Sequence, residues 1–569
     1  MDSILSFKNF GFKYNAQNSP TLFDINLEVK KGEKILIAGP SGCGKSTLVH
    51  CINGLIPFSY KGEITGSLTV FGKETKELSL FDISKHVGTV LQDSDAQFVG
   101  LTVAEDIAFA LENECVGEPS LHERVLEAAR MVDIHEFLDH APSQLSGGQK
   151  QRVSLAGVLA GNVDILLFDE PLANLDPATG KQAIELIDEL QKRTGAAVII
   201  VEHRLEDVLH RDVDRVVLME KGRIVCDLAP DELLSKDYLK NAGVREPLYI
   251  TAMKYAGIEI TPSLLPHSIR TVRVGEKEST LIKNWFEKAE RATAVNENEV
   301  LLETKNLKFS YDGKKEALRD ISVKIRKGEM VAIVGTNGAG KSTFSKVVCG
   351  FEEKSAGEII FDGEDFSKYS IKERADKAGY VMQNPNQMIS KVMIYDEVAL
   401  GLVTRGIPEE EIKTRVEETL KVCGLWQFRN WPISALSYGQ KKRVTIASIL
   451  VLSPSMIILD EPTAGQDYRH YTEIMEFLSE LNKRGITIVM ITHDMHLMLE
   501  YANRAIVFSN GHIIADDTCA AILTNPEIIE AASLKETSLY ELSERSGIEN
   551  ATEFVSRFIS YEREVARNE

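Results

Sequence analysis

The chain has 569 residues, and its composition of 43% hydrophobic, 7% aromatic and 26% charged residues is that of ordinary globular proteins. This length exceeds what one hydrophobic core supports, so we expect about three or four compact units and exclude disordered, collagen-like and disulfide-scaffold classes. The formal net charge of −20 argues against a surface built to bind nucleic-acid phosphates.

The cysteines and the chain start predict the compartment. Seven cysteines are present, and none lies in a Cys-x-x-Cys pair. This pattern indicates neither a disulfide framework nor a zinc or iron–sulfur cage, and predicts a reducing, cytosolic compartment. The start, MDSILSFKNFGFKY, lacks a basic region followed by an apolar one, and the longest apolar stretches fall far short of about 18 residues. We therefore expect neither a membrane-spanning segment nor an export signal.

In chain order, the first half alternates short apolar runs with helix-compatible runs. EKILIAG precedes KSTLVHCINGL, VDILLFDE precedes QAIELIDELQK, and AAVIIVE follows. Such alternation indicates a mostly parallel sheet covered by helices on both faces. Between these runs, Leu121, Val125, Ala129 and Val132 recur at helical spacing, which predicts a small helical subdomain.

The second half repeats the first in the same order. GPSGCGKST at 39–47 recurs as GTNGAGKST at 335–343, LSGGQKQRV at 145–153 as LSYGQKKRV at 436–444, and ILLFDEP at 165–171 as MIILDEP at 456–462. The last two pairs are each offset by 291 residues. A repeat this long indicates duplicated domains rather than a solenoid.

Similar tails follow each half, LYITAMKYAGIE at 248–259 and LYELSERSGIE at 539–549, and both predict helices. Residues from about 260 to 299 are polar and predict an irregular connector. We therefore place the first α/β domain at 1–228, a helical appendix and linker at 229–298, the second α/β domain at 299–520 and a C-terminal helical appendix at 521–569.

The pattern G-x-x-x-x-G-K-[ST] occurs once in each half, after an apolar run and before a helix-compatible one. Its glycines let the backbone curl so that N–H groups face a phosphate at a helix N-terminus. Lys45 would neutralise the β- and γ-phosphates of a nucleotide, and the Ser46 hydroxyl would bind magnesium. Lys341 and Ser342 repeat this pair.

Two further motifs accompany each loop. The apolar strand ILLFDE ends in Asp169 and Glu170, which would lie on the magnesium side of the loop and beside an attacking water, although an acidic strand-end turn is the simpler alternative. LSGGQ and LSYGQ each precede a helix-compatible run, so Ser146 and Ser437 either present a hydroxyl to an anion or only cap a helix.

The phosphate loop, the LSGGQ signature, the strand ending in Asp-Glu and a downstream histidine together resemble the ATP-binding cassette (ABC) ATPases over nearly the whole chain. The resemblance implies two α/β P-loop NTPase domains, each with a RecA-like core, an antiparallel β edge and a helical subdomain. It also implies ATP hydrolysis with ATP and Mg²⁺, and cassettes arranged head to tail, each ATP lying between the phosphate loop of one half and the signature of the other.

The resemblance carries family roles onto matching positions. The implied catalytic residues are Glu170, His203, Glu461 and His493, and the implied magnesium ligands are Ser46, Gln92, Asp169, Ser342, Gln383 and Asp460. The two histidines would be switch histidines that hold the γ-phosphate, with a core histidine as the alternative, and a plain loop glutamine is the alternative for Gln92 and Gln383. Adenine would stack on Tyr14 and Tyr311, for which a core tyrosine is the alternative, and Asp176 and Asp467 would couple the two sites. The other implied ATP-binding residues are Gly39, Pro40, Ser41, Gly42, Cys43, Gly44, Lys45, Ser46, Thr47, Ser146, Gly147, Gly148, Gln149, Gly335, Thr336, Asn337, Gly338, Ala339, Gly340, Lys341, Ser342, Thr343, Ser437, Tyr438, Gly439 and Gln440.

The second copy departs from the first in several motif residues. Gln466 and Tyr468 stand at the positions of Leu175 and Pro177, and Tyr438 replaces the third signature residue. The resemblance places LSYGQ against the first phosphate loop, so we expect the two sites to differ in rate. Because both sites keep a glutamate base, we predict that both hydrolyse ATP.

The stretches after the loop glutamines, QDSDAQFVGLTVAEDIAFAL and QNPNQMISKVMIYDEVALGL, resemble the energy-coupling-factor importers. In that family, a short helix here receives the coupling helices of an integral T-component, and a separate S-component captures a vitamin or metal ion. The fused arrangement with VEHRLED resembles the tandem ATPases linked to thiamine-precursor uptake. These resemblances imply one chain per complex, at the cytoplasmic face of the membrane.

Alternatives remain open at this point. The stretches after the glutamines could be ordinary cassette surface without a special partner. A twin-cassette ATPase acting on ribosomes is a second possibility, although residues 228–300 hold ten Lys/Arg and eleven Asp/Glu and so form no basic arm. A DNA-repair or structural cassette ATPase is a third, but neither half is split by sustained heptads.

Overall fold

The computed structural model describes residues 3–91, 97–173, 175–290, 298–463, 466 and 468–568. The described residues form two compact units, one up to residue 282 together with 468–469 and the other from residue 283 onward. Each unit contains one copy of the repeated α/β pattern, so the prediction of duplicated domains is confirmed.

Ten strands and twelve helices are described before residue 290. The strands are β1 (Ser3–Tyr14), β2 (Leu22–Lys30), β3 (Lys34–Ala38), β4 (Gly62–Val70), β5 (Lys73–Glu74), β6 (Val87–Val90), β7 (Ile165–Asp169), β8 (Ala197–Val201), β9 (Arg215–Glu220) and β10 (Arg223–Leu228). The helices are α1 (Lys45–Ile52), α2 (Leu55–Phe58), α3 (Leu80–Ser84), α4 (Val103–Asn113), α5 (Ser120–Met131), α6 (Gly147–Ala160), α7 (Pro177–Thr194), α8 (Leu205–Val208), α9 (Pro230–Leu234), α10 (Tyr238–Ala242), α11 (Leu248–Tyr255) and α12 (Glu276–Lys288).

The second half repeats this series. Its strands are β11 (Val300–Ser310), β12 (Glu316–Arg326), β13 (Met330–Gly335), β14 (Ala356–Phe361), β15 (Glu364–Asp365), β16 (Ala378–Val381), β17 (Met456–Asp460), β18 (Thr487–Ile491), β19 (Arg504–Ser509) and β20 (His512–Thr518). Its helices are α13 (Lys341–Cys349), α14 (Ile371–Ala375), α15 (Ile394–Val403), α16 (Glu409–Val422), α17 (Tyr438–Leu450), α18 (Tyr468–Lys483), α19 (Met495–Tyr501), α20 (Cys519–Leu523), α21 (Pro526–Ala531), α22 (Ser538–Arg545) and α23 (Ala551–Asn568). Within the described residues, no helix has both the length and the apolar character needed to cross a bilayer.

Both halves have the same sheet topology. The first contains a four-stranded antiparallel sheet of order β2-β1-β4-β5 and a six-stranded sheet of order β6-β7-β8-β3-β9-β10. The second contains sheets of order β12-β11-β14-β15 and β16-β17-β18-β13-β19-β20. The six-stranded sheets are parallel except for their last strands, β10 and β20. The α/β fold with an antiparallel β edge, predicted from the sequence, is confirmed.

The central strands are buried on both faces. In β3, Ile35 and Ile37 belong to the core that includes β1 and α1, whereas Leu36 belongs to the core that includes α6. Alternate side chains of a strand point to opposite faces, so a strand covered on both sides reads as a continuous apolar run. The parallel strands therefore end at one common edge, where β3 leads to Gly39 and β7 ends in Asp169.

The helical subdomain is present in both halves. Val125 and Ala129 are buried on α5, and Val416 and Leu420 are buried on α16. The predicted tail helices also form, as α11 and α22. Helical periodicity in the sequence therefore identifies these elements correctly.

The connector differs from the sequence prediction, because residues 276–288 form helix α12 instead of an irregular segment. Trp285 and Phe286 pack against Phe554 of α23, with ring centroids 5.8 and 5.9 Å apart. Arg557 of α23 donates hydrogen bonds to the carbonyls of Phe286 (2.7 Å) and Ala289 (3.2 Å). Tertiary packing of this kind stabilises a polar helix that composition does not reveal.

The Arg557→Ala variant should loosen α12, because two carbonyls lose their charged donor. We expect a loss of about 1–3 kcal/mol in the free energy of unfolding and a red shift of Trp285 emission, measured by urea unfolding with fluorescence detection. Glu564→Ala, at an exposed site of α23, is the control. An Arg557→Ala protein with unchanged stability and emission would show that these bonds do not hold the helix.

Candidate functional site

The loop between β3 and α1 requires glycine. Gly39 and Gly44 have φ of +150° and +107°, where residues with a side chain are disfavoured. A Cβ at Gly39 would lie 2.2 Å from the carbonyl oxygen of Met219 on β9, and one at Gly335 would lie 1.9 Å from that of Phe508 on β19. Each loop thus turns tightly into a helix whose first N–H groups have no helical partner.

A buried lysine is held inside each loop. Lys45 Nζ donates to the carbonyls of Gly39 (2.7 Å) and Pro40 (3.0 Å). Lys341 Nζ donates to the carbonyls of Gly335 (2.7 Å) and Thr336 (2.8 Å). The loop backbone therefore fixes each ammonium group where its charge acts on the neighbouring phosphate-binding turn.

The two predicted adenine-stacking tyrosines occupy equivalent positions. The hydroxyl of Tyr14 lies 3.1 Å from Thr47 Oγ1, and that of Tyr311 lies 3.1 Å from Thr343 Oγ1. Tyr311 is 60% exposed, so it is not a core tyrosine. Tyr14 is half-buried. Each ring stands beside the helix that leaves the phosphate loop.

The strand ends that carry the Asp-Glu pairs have an unusual backbone. Glu170 and Glu461 have φ of +50° and +46°, which is uncommon for residues other than glycine and concentrates at functional sites. The N–H of Glu170 donates to Val201 O, and that of Glu461 to Ile491 O, each at 2.9 Å. This turn ends the strand at the aspartate and lets the two carboxylates diverge.

Asp169 is buried beside Lys45 and Glu170. Burial, together with the charge of Glu170, raises the pKa of the Asp169 carboxyl to about 6, while Lys45 opposes the shift. Its Oδ1 atom is buried and has no hydrogen-bond partner among the described residues. A buried carboxylate oxygen without a partner is the donor that Mg²⁺ prefers, so the residues of this site fit the ion.

In the second half, the equivalent aspartate, Asp460, accepts a hydrogen bond from a tyrosine. The Tyr380 hydroxyl donates to Asp460 Oδ2 at 2.8 Å, and burial together with this carboxylate raises the pKa of Tyr380 above its ordinary value. The equivalent residue of the first half is Thr89, 291 positions earlier. The two halves therefore present different surroundings to the predicted metal-binding carboxylate.

The predicted switch histidines also differ. His493 Nδ1 lies 2.8 Å from Glu461 Oε1. In the first half, burial raises the pKa of Glu170, and the nearby His203 partly offsets that rise. Each histidine is thus near the predicted glutamate base of its own half.

Glu202 organises the segment around His203. It is fully buried, and its Oε2 accepts hydrogen bonds from the N–H groups of His203 (2.8 Å) and Arg204 (3.1 Å). Its Oε1 accepts a hydrogen bond from the N–H of Leu172 at 3.2 Å, just after the Asp-Glu pair. The second half has Thr492 at this position, so this bridge belongs to the first half.

The signature serines are helix caps. Ser146 caps α6 through reciprocal bonds with Gln149, and Ser437 caps α17 through reciprocal bonds with Gln440. The capping alternative weighed from the sequence is therefore realised. It places each serine beside the free N–H groups of a helix start.

The remaining predicted residues are placed as follows. Asp176 caps α7 by accepting from the N–H of Thr179 at 3.0 Å. Gln383 follows β16, and its carbonyl accepts a hydrogen bond from Tyr438 of the signature motif. Gln92 and Asp467 lie outside the described residues.

Three candidates were missed by motif reasoning: Glu202, Tyr380 and Lys442. Lys442 is 1% exposed, and burial lowers its pKa to about 8, with the two acidic residues at the end of β17 opposing the shift. Each of the three differs from the residue at the equivalent position of the other half, respectively Thr492, Thr89 and Gln151. Comparison of the halves position by position is the signal that could have found them.

Asp169→Asn should stabilise the nucleotide-free protein. The folded-state pKa of about 6 lies above the ordinary value of 3.8, so ionisation of Asp169 opposes folding as pH rises through this window. In calorimetry with EDTA, we expect a gain of about 1–3 kcal/mol at pH 7.5 and none near pH 4. Asp460→Asn is the matched control and should give no gain, because it weakens the hydrogen bond that the Asp460 carboxylate accepts from the Tyr380 hydroxyl. Equal stability of wild type and Asp169→Asn at pH 7.5 would refute the assignment.

Comparisons with known proteins show which family the chain belongs to. The family model for ABC transporters matches residues 22–173 and 318–464, and a model for an ATP-binding cassette cobalt transporter matches residues 236–309. An ABC transporter ATP-binding protein of Clostridium perfringens is 59% identical over 561 residues, covering 99% of each chain. Another from Enterococcus faecalis is 57% identical over 564 residues, again covering 99% of each chain. The solved structure of cbiO1 from Clostridium perfringens, titled as part of the cbiONQ transporter complex, is 36% identical and covers 43% of this chain and 100% of its own, with a TM-score of 0.39.

The family match covers an α/β core in both halves, and the two relatives align with this chain over 99% of their length. The ribosomal alternative finds no support in these comparisons. The protein is an ATPase with two ABC ATPase domains, and it belongs to the ABC transporter family as an ATP-binding subunit.

Proposed function

We propose that this chain is the energising subunit of an importer of the energy-coupling-factor type, bound at the cytoplasmic face of the membrane. Uptake of a vitamin or metal ion would proceed through a separate T-component and S-component. The observation that carries the proposal is a pair of exposed apolar residues, Leu101 (81% exposed) and Val392 (73% exposed), at positions 291 apart. Exposed apolar surface repeated in this way is typical of an interaction site.

Neither residue meets an apolar side chain at the usual partner position on its own helix. Leu101 precedes the N-cap of α4 and Val392 precedes the N-cap of α15. An apolar residue at this position commonly packs against the fourth helical residue. Here the fourth residues are Asp106 and Glu397, which are acidic. Leu101 and Val392 therefore lack the apolar contact that usually holds a side chain at this position against its own helix.

The same acidic residues support the loop that presents the apolar side chain. Asp106 Oδ1 accepts hydrogen bonds from the N–H groups of Val99 (2.8 Å) and Gly100 (3.1 Å). Glu397 Oε2 accepts hydrogen bonds from those of Ser390 (2.9 Å) and Lys391 (2.6 Å). In both halves, a carboxylate thus fixes the backbone just before an exposed apolar residue. This repeated arrangement supports docking of a membrane-subunit helix at Leu101 and at Val392.

Two resemblances bear on the cargo. The match to a cobalt-transporter family model favours a metal ion, whereas VEHRLED favours a thiamine precursor. Selectivity would reside in the S-component, so this chain would power either transport reaction. The named relatives are transporter ATP-binding proteins, which favours a membrane partner over ribosomes.

In the proposed reaction, Lys45 and Lys341 bind the β- and γ-phosphates, and Glu170 and Glu461 accept the proton of the attacking water. Mg²⁺, when bound, would neutralise phosphate charge. The residues proposed to hold it are Ser46, Gln92 and Asp169 in the first half and Ser342, Gln383 and Asp460 in the second. His203 and His493 would hold the γ-phosphate.

We also propose that each ATP is shared between the halves. The first phosphate loop would meet Ser437, and the second would meet Ser146, with Asp176 and Asp467 coupling the sites. ATP would then favour a closed pair of cassettes, and hydrolysis would remove the γ-phosphate contacts that keep it closed. The membrane subunits would convert this opening and closing into substrate release.

Leu101→Asp with Val392→Asp should abolish association with membrane subunits. Two polytopic proteins should co-purify with a tagged chain from detergent-solubilised membranes. The amount that co-purifies with the double variant should be lower by about tenfold or more, because charge is excluded from an apolar contact. Val225→Asp with Ile514→Asp, exposed apolar residues at 42% and 40% on β10 and β20, is the matched control. Ribosomal proteins in the wild-type eluate, without polytopic proteins, would contradict the importer.

Glu170→Gln with Glu461→Gln should abolish turnover while ATP still binds. The loss should be about a hundredfold or more, because a general base is removed from each site. Hydrolysis is measured by phosphate release and binding by equilibrium dialysis with labelled ATP. Glu189→Gln with Glu480→Gln, an exposed pair 291 residues apart, is the control. Vigorous hydrolysis by the Glu170/Glu461 variant would refute the assigned bases.

A further inference from the structure

In the second half, the signature helix, α17, which starts within the LSYGQ motif, is hydrogen-bonded to the loop that carries Gln383. Lys442 Nζ donates hydrogen bonds to the carbonyls of Met382 (2.8 Å) and Gln383 (2.9 Å). The Tyr438 hydroxyl donates to the same Gln383 carbonyl at 3.3 Å. Tyr438 and Lys442 are four residues apart on α17 and so share one face of the helix. Two side chains of one helix therefore converge on the backbone of the predicted loop glutamine.

These bonds satisfy backbone groups that the sheet does not. Strand β16 ends at Val381, so the carbonyls of Met382 and Gln383 lie beyond its last residue. Burying a lysine is costly unless its ammonium group is hydrogen-bonded. At 1% exposure, Lys442 depends on these carbonyls as much as they depend on it. Movement of the α17 start and movement of the Gln383 backbone are thereby linked.

The first half is built differently at the equivalent positions. Gly147 stands for Tyr438 and Gln151 for Lys442, both offset by 291 residues. Glycine has no side chain to donate, and the Gln151 amide donates to the carbonyl of Pro171 at 2.7 Å. The corresponding helix of the first half is thus bonded to the segment after its Asp-Glu pair. The link through Tyr438 and Lys442 is a property of the second half.

We infer that Lys442, assisted by Tyr438, is a positioning residue for ATP hydrolysis that fixes the Gln383 backbone to the signature helix of the second half. The inference rests on the proposed role of Gln383 in the second site. Through this link, a displacement of Ser437 at the start of α17 would move the backbone from which the Gln383 side chain projects. The second half would thereby transmit nucleotide contact at Ser437 to its loop glutamine.

Steady-state ATP hydrolysis by the full chain tests the inference. Lys442→Gln, which installs the first-half residue, should lower kcat about three- to tenfold and leave KM for ATP within about twofold. Lys442→Arg keeps a charged donor and should restore kcat to within about twofold of wild type. Lys441→Gln, the adjacent residue on α17, is the matched control and should leave kcat unchanged. Tyr438→Phe, which removes one hydroxyl, should lower kcat about twofold and provides the test if Lys442→Gln folds poorly.

The Gln383→Ala background separates positioning from a general structural role. There, Lys442→Gln should change kcat by less than about twofold, because the side chain that it positions is already gone. A full additional loss in this background, or a wild-type kcat in both Lys442→Gln and Tyr438→Phe, would overturn the inference. Gln383→Ala alone reports separately on the proposed function. A Gln383→Ala enzyme with wild-type activity would remove the glutamine's role, whatever Lys442 does.

Discussion

The close approach of the phosphate loop to a neighbouring strand is the constraint on which both sites depend. At Gly39 and Gly335, a side chain would collide with a carbonyl oxygen of β9 or β19. The chain must therefore turn without a Cβ, and this turn starts a helix whose first N–H groups remain available to an anion. The same turn brings its own carbonyls around Lys45 and Lys341, so the positive charge is fixed before any nucleotide arrives.

The parallel sheet places the other predicted site residues at the same edge as this loop. Because its central strands are buried on both faces, polar residues can appear only where the strands end, and the ends share one edge. The Asp-Glu pairs and the histidines all follow such strand ends. The left-handed backbone at Glu170 and Glu461 then separates each proposed glutamate base from the aspartate beside it. Local strain at these two residues is maintained by the surrounding fold.

Much of this arrangement follows from sequence pattern. The loop motif, the apolar strand ending in Asp-Glu and the helical spacing of the subdomain each depend on local geometry. Local geometry constrains residues that are close in the sequence, so it produces motifs and periodicity that can be recognised there. The connector helix α12 leaves no such signal, because Trp285 and Phe286 are stabilised by α23, more than 260 residues later. Likewise, Lys442 looks like an ordinary basic residue of a helix until its partners, the carbonyls at 382 and 383, are known. Bonds between distant segments cannot be derived from spacing.

The two halves have the same fold but different hydrogen bonds around their predicted site residues. Glu202 joins the histidine segment to Leu172 in the first half, and Lys442 joins the signature helix to Gln383 in the second. Asp169 Oδ1, which has no hydrogen-bond partner within the part of the chain that the structure describes, contrasts with the Tyr380–Asp460 bond. These differences lie beside the predicted site residues, which is the expected result when a fold is retained and the residues around its sites diverge.

The proposed function requires that one polypeptide completes both of its own ATP sites. The most direct measurement is a cryo-electron microscopy structure of the Glu170→Gln/Glu461→Gln chain with Mg²⁺ and ATP in its membrane complex. We expect two nucleotides per chain, with the Ser437 hydroxyl at the γ-phosphate held by Lys45 and the Ser146 hydroxyl at that held by Lys341. Nucleotides contacted only by the half that carries their phosphate loop, or by a signature serine of a second chain, would contradict it.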